Sequence, residues 1–163
     1  NLNINLYLGS EIDENKNMLN ILKDDMCHSL NYTKYVLVDF MTRVADVDEV
    51  CYELVLNGYI PIIAHPERYA YIKDISMMKE WKKTGALIQM NASSLYSCSK
   101  VKKQAKLMLK HNVVDIVSSD THTSSKTFDY FKKSLNYIKK KYGEEAAKRM
   151  FNINPRKIIG LDN

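Results

Sequence analysis

Polar side chains, most of them of metal-binding types, recur along this chain at nearly constant spacing. Successive members lie roughly 26 to 29 residues apart, close to the length of one βα unit. They are Glu11, Asp39, His65, Asn91, and the pair Asp120 and His122. Carboxylates combined with imidazoles suit Zn, Mn or Fe better than Ca or a thiolate site. The spacing therefore predicts one metal site to which successive units contribute side chains.

The residues around two of these positions add detail. In an extended chain, residues i and i+2 point the same way, so Asp120 and His122 can face one cavity. Pro66 is expected to hold His65 extended and so to direct the chain as it leaves its strand. Arg68 can then turn back over the site, where its planar guanidinium would match two phosphate oxygens. Bridging carboxylates can hold two metals about 3.5–4 Å apart, which suits displacement at phosphorus.

Each of these residues also has a less specific interpretation when it is taken alone. His65 can be a surface histidine or one satisfied in the core, Glu11 can be a turn residue, and Arg68 can be a surface arginine paired with Glu67. Asp39 is harder to explain in this way, because an unpaired carboxylate in an apolar run is costly to bury. The joint pattern at five successive positions favours a site over five unrelated residues.

The elements that must position these side chains are short strands alternating with helices. Strands are predicted from apolar, β-branched runs at 4–9, 35–40, 60–65, 86–91 and 113–120. Amphipathic helices are predicted at 46–58, with Asp46 as its cap, and at 76–85, 100–112, 127–143 and 143–151, the last ending before Pro155. This order predicts an α/β fold with a parallel sheet, whose carboxyl ends are where active sites form in barrels of this class.

Composition narrows the class of protein. The 163 residues predict a single domain, and three widely spaced cysteines predict reduced thiols in a cytoplasmic protein. No apolar run approaches the roughly 18 residues of a membrane helix, so membrane insertion is not expected. The net charge is +5, with lysines clustered at 100–106, 132–133 and 139–141. Their helical spacing favours solvated helix faces over a nucleic-acid groove.

Three motifs resemble a known family. They are "PIIAHPERY" (61–69), "GALIQMNASSL" (85–95) and "VDIVSSDTH" (114–122). The chain resembles the CpsB/CapC-type bacterial tyrosine-protein phosphatases of capsule and exopolysaccharide operons, in the polymerase-and-histidinol-phosphatase (PHP) superfamily. The resemblance implies a distorted, TIM-like β/α barrel with a multinuclear site, usually dependent on Mn²⁺. It also implies hydrolysis, through metal-bound hydroxide, of phosphotyrosine on the tail of an autokinase that regulates polysaccharide synthesis.

The resemblance assigns roles to individual residues. The implied metal ligands are Glu11, Asp39, His65, Asp120 and His122. Arg68 would hold the phosphoryl group, and His65 and Arg68 are the catalytic candidates. Tyr69 and Asn91 are assigned as substrate contacts, although Tyr69 could equally cover core. The cysteines would take no part.

Three departures from the family pattern stand out. The opening His-x-His of the family is absent, with the aspartate and histidine that follow it, so 1–163 is expected to be one N-terminally truncated domain beginning about two βα units late. Asp39 stands where the family usually has glutamate, and the Asn and Arg often seen after His122 are missing. Five strands cannot close such a barrel, and open edges tend to pair. We therefore expect either a half-barrel that associates as a homo-oligomer or a piece of a longer protein.

Two alternatives remain open from the sequence. One is another PHP-type phosphoesterase, such as a histidinol-phosphatase-like enzyme acting on a small substrate. The other is a degenerate, non-catalytic module that binds a partner or assembles. Substrate competition would separate the first from a tyrosine phosphatase, and the missing His-x-His is the feature on which the second depends.

Overall fold

The computed structural model describes residues 4–14, 17–41, 47–123 and 127–161. Its centre is a sheet of five strands: β1 (Glu11–Asp13), β2 (Tyr35–Asp39), β3 (Ile60–Ile63), β4 (Leu87–Asn91) and β5 (Ile116–Ser118). All neighbouring strands are parallel, and their order in the sheet is their order in the chain. The predicted α/β class is therefore confirmed.

Helices follow the strands along the described chain. They are α1 (Met18–Lys23), α2 (Val47–Leu56), α3 (Ile75–Lys83), α4 (Ser99–Lys110), α5 (Thr127–Tyr142), α6 (Glu144–Lys148) and α7 (Asn154–Ile158). The structure gives α3 an Asp74 cap, whose side chain accepts a hydrogen bond from the Ser76 amide. The predicted Asp46 cap of α2 lies outside the described residues. None of the helices that the structure describes is long and apolar enough to cross a membrane.

One face of the sheet packs against the helices and forms the main core. Alternate strand residues point to this face, which explains why Val36 and Val38 of β2 and Ile88 and Met90 of β4 are fully buried. Their cluster includes helix residues Cys51, Leu54, Met78, Trp81, Ala105, Met108 and Ile138. The apolar periodicity of the helices therefore matches the sheet face that they cover.

The opposite face changes character along the strands. Towards their amino ends it carries a small apolar cluster of Tyr35, Ile62 and Ile116, covered by Ile158 of α7. Towards their carboxyl ends the same face carries Asp39, Gln89 and Asn91, because alternate residues share a face. Apolar packing thus holds one end of this face, and polar groups collect at the other.

Two predicted boundaries are wrong. Residues 4–10 form no strand, because the backbones of Leu8 and Ser10 bond to the loop at residues 28–31 and β1 begins only at Glu11. The helix predicted for 143–151 does not end before Pro155. A π-turn at Arg149–Ile153 continues α6 into α7, and Pro155 lies in the first turn of α7, where its missing N–H is tolerated.

Candidate metal centre

Three ligand-type side chains, from β1, β2 and the turn after β3, converge at one end of the sheet. Asp39 ends β2, His65 lies two residues beyond β3, and Glu11 begins β1. The Nε2 atom of His65 is 2.9 Å from Glu11 Oε1 and 3.9 Å from Asp39 Oδ2. One ligand atom from each residue lies within 4.8 Å of the others. The structure therefore brings together three of the five residues predicted as metal ligands.

The backbone of His65 differs from the expectation. Its φ of 31° and ψ of 51° are left-handed, so the prediction that Pro66 holds it extended is wrong. The amide of His65 donates to Gln89 Oε1 at 2.7 Å, and its carbonyl accepts from the Arg68 amide at 3.0 Å. These bonds hold a conformation that is rare for a residue with a side chain. The turn places the imidazole against Glu11 and Asp39.

The environment of the His65 imidazole favours its protonated form in the metal-free protein. Burial lowers the pKa of His65, but the hydrogen bond to Glu11 and the charges of Asp39 and Glu11 outweigh burial, so the pKa is raised above its ordinary value. The Arg68 charge opposes this rise. The carboxylates of Glu11 and Asp39 therefore favour a positive charge at the imidazole, which a proton or a metal ion can supply.

The other predicted ligand pair, Asp120 and His122, lies at the rim of the same site. His122 Nε2 is 2.9 Å from Asp120 Oδ1, and Arg68 donates to Asp120 Oδ2 at 3.4 Å. Asp120 has a left-handed φ of 50°, so the extended geometry expected for this pair is wrong, although the two side chains do meet. Arg68 pairs with Asp120. The alternative interpretation, a surface arginine paired with Glu67, is therefore not what the structure shows.

The cavity at this end of the sheet has a volume of about 390 Å³. Most of its lining residues are ionisable, and they include His122 of the rim pair: Glu11, Asp13, Asp39, Met41, His65, Arg68 and His122. Two carboxylates facing one imidazole make a donor set that fits a divalent metal of the Mn, Fe or Zn type. Within the described residues His65 Nδ1 is buried without a hydrogen-bond partner, so the ring is oriented through Nε2 and the turn backbone.

The two residues assigned to substrate contact are both buried. The Tyr69 hydroxyl donates to the Ala64 carbonyl at 2.5 Å and accepts from the Phe40 amide at 3.0 Å. Asn91 is 2% exposed, and its amide donates to Asp120 Oδ2 at 2.6 Å. Their substrate contacts stay predictions, and the burial of both side chains gives those predictions no support.

The sequence reasoning missed three residues at this site. Asp13 is in register with Asp39 and lines the cavity, so it holds the strand-end position that had been assigned to Glu11. The alternation of Glu11 and Asp13 within one strand was the available signal. Gln89 is buried beside His65, and Glu67 accepts hydrogen bonds from the Asn91 amide and from Ser94 Oγ. Burial raises the pKa of Glu67.

None of the three cysteines lines this cavity. Cys51 is buried in the helix-covered core, and burial raises the pKa of its thiol to about 12. Such a thiol is not a nucleophile at neutral pH. Cys27 is half-buried and Cys98 is exposed at the start of α4, and neither lines the cavity.

Comparison with known proteins agrees with this geometry. The family described as "Capsular polysaccharide synthesis, CpsB/CapC" matches residues 1–160. A putative tyrosine-protein phosphatase CapC of Staphylococcus aureus is 32% identical over 157 residues, covering 93% of this chain and 62% of the relative. Tyrosine-protein phosphatase CpsB of Streptococcus pneumoniae is 31% identical over 164 residues, covering 93% of this chain and 66% of the relative. The chain thus spans slightly less than two thirds of either relative.

A solved structure shares the fold. It comes from work on YwqE of Bacillus subtilis and CpsB of Streptococcus pneumoniae, described as unique metal-dependent tyrosine phosphatases. The TM-score is 0.84 at 27% identity, covering 95% of this chain and 64% of that one. Sequence family, fold and the cluster of Glu11, Asp39 and His65 therefore agree. The chain belongs to the CpsB/CapC family of capsular polysaccharide synthesis proteins.

Proposed function

We propose that this chain carries the larger part of a metal-dependent protein-tyrosine phosphatase, in which Glu11, Asp39 and His65 bind a divalent metal. The convergence of these three side chains, with ligand atoms within 4.8 Å of one another, is the observation that carries the proposal. The names of the relatives and of the solved structure point to the same activity for those proteins. Asp120 and His122 are proposed as further ligands at the rim.

Mn²⁺ is the proposed metal because the family resemblance implies it, and the donor set fits Mn, Fe or Zn. When bound, such an ion supplies positive charge for a phosphoryl group and lowers the pKa of water. The residues of the chain supply position: β1, β2 and the turn after β3 hold the three donors on one wall of the cavity. Asp39 reaches one methylene less far than a glutamate would, and Asp13 on the neighbouring strand lines the same wall.

Arg68 is the proposed phosphate-binding residue. It lines the cavity together with the three donors. Its guanidinium makes a long 3.4 Å contact to Asp120, which leaves further N–H groups that can bind an anion. A planar guanidinium can bind two phosphoryl oxygens at once and stabilise the charge that develops on them during transfer. Arg68 would therefore orient the phosphoryl group towards the metal site.

The finer parts of the proposal concern the partner and the setting. The proposed substrate is a phosphotyrosine protein, specifically the tail of an autokinase that regulates capsule or exopolysaccharide synthesis. The proposed location is the cytoplasm, and residues 1–163 are proposed to act within one phosphatase domain. Homo-oligomer formation through an open edge of the sheet, at β1 or β5, is part of the same proposal.

Hydrolysis of a phosphotyrosine peptide, with and without added Mn²⁺, tests this function. Wild type is expected to release phosphate only with metal, and His65→Ala is expected to lose this activity because it removes the imidazole at the centre of the cluster. His111→Ala is the matched control, since His111 lies at the end of α4 and does not line the cavity. Full activity in excess chelator would contradict the proposal.

Two further measurements separate the alternatives. Competition between the peptide and histidinol phosphate would reveal a preference for a small substrate. Calorimetric titration with MnCl₂ separates binding from turnover, because the chain spans less than two thirds of its first relatives. Binding of metal and peptide without turnover would favour a non-catalytic module over an enzyme.

A further inference from the structure

Two buried amide side chains connect the halves of the candidate site. Gln89 and Asn91 lie on the same face of β4, and the Gln89 Nε2 atom donates to Asn91 Oδ1 at 2.7 Å. At one end of the pair, Gln89 Oε1 accepts from the His65 amide at 2.7 Å. At the other end, Asn91 Nδ2 donates to Asp120 Oδ2 at 2.6 Å. An unbroken path of hydrogen bonds therefore runs from the His65 backbone to the Asp120 carboxylate.

The chemistry of the two ends determines the direction of this path. A backbone N–H can only donate, so the oxygen of the Gln89 amide must face His65. An ionised carboxylate can only accept, so the nitrogen of the Asn91 amide must face Asp120. With both ends set, the Gln89 Nε2 donor faces the Asn91 Oδ1 acceptor. Reversing either side-chain amide would place two donors or two acceptors against each other. The path therefore has one consistent arrangement.

The two residues joined by this path both need external support. His65 and Asp120 have left-handed φ values of 31° and 50°, which residues with side chains seldom adopt without restraint. The Asn91 end of the path is held in turn by buried Glu67. The Glu67 carboxylate accepts from the backbone N–H of Asn91 at 2.9 Å and from Ser94 Oγ at 2.7 Å. The amides thus brace two loops that no strand pairing reaches.

We propose that Gln89 and Asn91 are positioning residues that fix His65 and Asp120 relative to each other. The cluster around His65 and the pair of Asp120 and His122 then present their ligand atoms to one site. Neither amide is required to touch substrate, and for Asn91 this replaces the role of substrate contact. The proposal rests on the metal site proposed above. Residues that orient metal ligands typically change metal affinity by about 10- to 100-fold when they are removed.

Calorimetric titration of the full chain with MnCl₂ at 25 °C tests this role. Gln89→Met and Asn91→Leu each cut the path with a side chain of similar volume, and each is expected to weaken Mn²⁺ binding by roughly 10-fold or more. Ser118→Ala is the matched control, because Ser118 Oγ accepts from the same Gln89 nitrogen at 2.6 Å but lies off the path. Its Mn²⁺ affinity is expected to stay within about 3-fold of wild type, well below a positioning effect. Unchanged affinity in both path variants would overturn the proposal.

Stability and spectra in chelator supply the readouts that do not depend on metal. A merely structural role would lower the unfolding temperature of the metal-free variants and leave the Mn²⁺ affinity of the folded protein unchanged. In ¹H–¹⁵N spectra, Gln89→Met is expected to shift the Asp120 amide and His122 signals, although Gln89 bonds to neither residue. Shifts confined to the direct partners of Gln89 would overturn the positioning proposal, whether or not the wild type binds Mn²⁺. A wild-type protein that binds no Mn²⁺ would contradict the proposed function separately. Either path variant suffices if the other does not fold.

Discussion

The two halves of the candidate site are built in different ways. The buried half, named for its histidine, consists of Glu11, Asp39 and His65. Its His65 side chain is 5% exposed and its Glu11 side chain 31%, and both carboxylate residues lie within strands. In the rim half, formed by Asp120 and His122 beyond β5, the His122 side chain is 78% exposed. Strands hold both carboxylates of the first half, whereas hydrogen bonds from Arg68 and Asn91 hold the Asp120 carboxylate of the second.

This difference indicates which half dominates metal affinity. A ligand held by a strand loses little conformational freedom when metal binds, whereas an exposed side chain must be ordered at that moment. The buried half is therefore expected to supply most of the affinity, and the rim half to tune it.

Removing one carboxylate charge from each half gives the largest expected effect. Asp39→Asn is expected to weaken Mn²⁺ binding by more than about 100-fold, because removing a direct ligand should exceed the effect of removing an orienting residue. Asp120→Asn is expected to cost on the order of 10-fold. Calorimetric titration measures both. The reverse order would show that the rim, rather than the strand-held cluster, dominates binding.

The support beneath the buried half can be tested through stability. Tyr69→Phe removes the hydroxyl that joins the Phe40 amide to the Ala64 carbonyl, so two buried backbone groups lose a partner. The free energy of unfolding in chelator is expected to fall by about 1–3 kcal/mol in urea titrations. Tyr71→Phe is the control, since its hydroxyl makes a longer 3.3 Å contact to Phe40 and should cost less. Equal losses would count against this bracing role.

The rim can be probed separately through its arginine. Arg68→Lys keeps the charge but loses the planar fork, so KM for a phosphotyrosine peptide is expected to rise by roughly 10-fold. Mn²⁺ affinity should change little, because Arg68 is not among the proposed ligands. Arg149→Lys serves as the matched control, since Arg149 bonds to Asn112 and does not line this cavity. A large loss of Mn²⁺ affinity in Arg68→Lys would show that Arg68 supports metal binding rather than phosphate binding.

The smallest expected effect is the pH dependence of protein stability and Mn²⁺ affinity that arises from His65 in the buried half. Because the pKa of His65 is raised in the folded protein, its stabilising contribution is present below about pH 6.5, its ordinary value, and is lost as pH rises through the folded pKa. Mn²⁺ affinity is expected to rise over the same window, since the metal needs the neutral imidazole. Urea titrations in chelator, compared between wild type and His65→Gln, measure the first trend.

Glu67 also contributes to the pH dependence of stability measured in the variant comparison. The pKa of Glu67 is also raised, so its contribution to the free energy of unfolding likewise falls as pH rises. This fall begins at a lower pH, because the ordinary pKa of a glutamate is lower than that of a histidine. The charge of His65 lowers the pKa of Glu67, so the difference between the wild-type and His65→Gln curves contains the contribution of His65 together with its coupling to Glu67. A difference curve without slope above pH 6.5 would show that Glu11 and Asp39 do not stabilise the charged imidazole.

The positions of the strand ends were predictable because they depend on local patterns. Continuous apolar runs predicted β2 to β5 within a few residues, and the regular spacing of Asp39, His65 and Asp120 placed each at the same end of a parallel sheet. Glu11 does lie beside His65, but the strand at 4–9 from which its position was predicted does not form. The burial of a carboxylate and an imidazole at strand ends was a sufficient signal for the buried half.

The sequence by itself determined the class of fold, the family and the side chains that meet at the carboxyl edge, because side-chain periods of 2 and 3.6 residues are properties of the backbone. Only the tertiary structure decided the left-handed turn at His65, the amide path through Gln89 and Asn91, and the burial of Tyr69. These features depend on which donor meets which acceptor across residues far apart in the chain. No local pattern encodes that choice, because strand register and loop packing must be in place before the partners come within bonding distance.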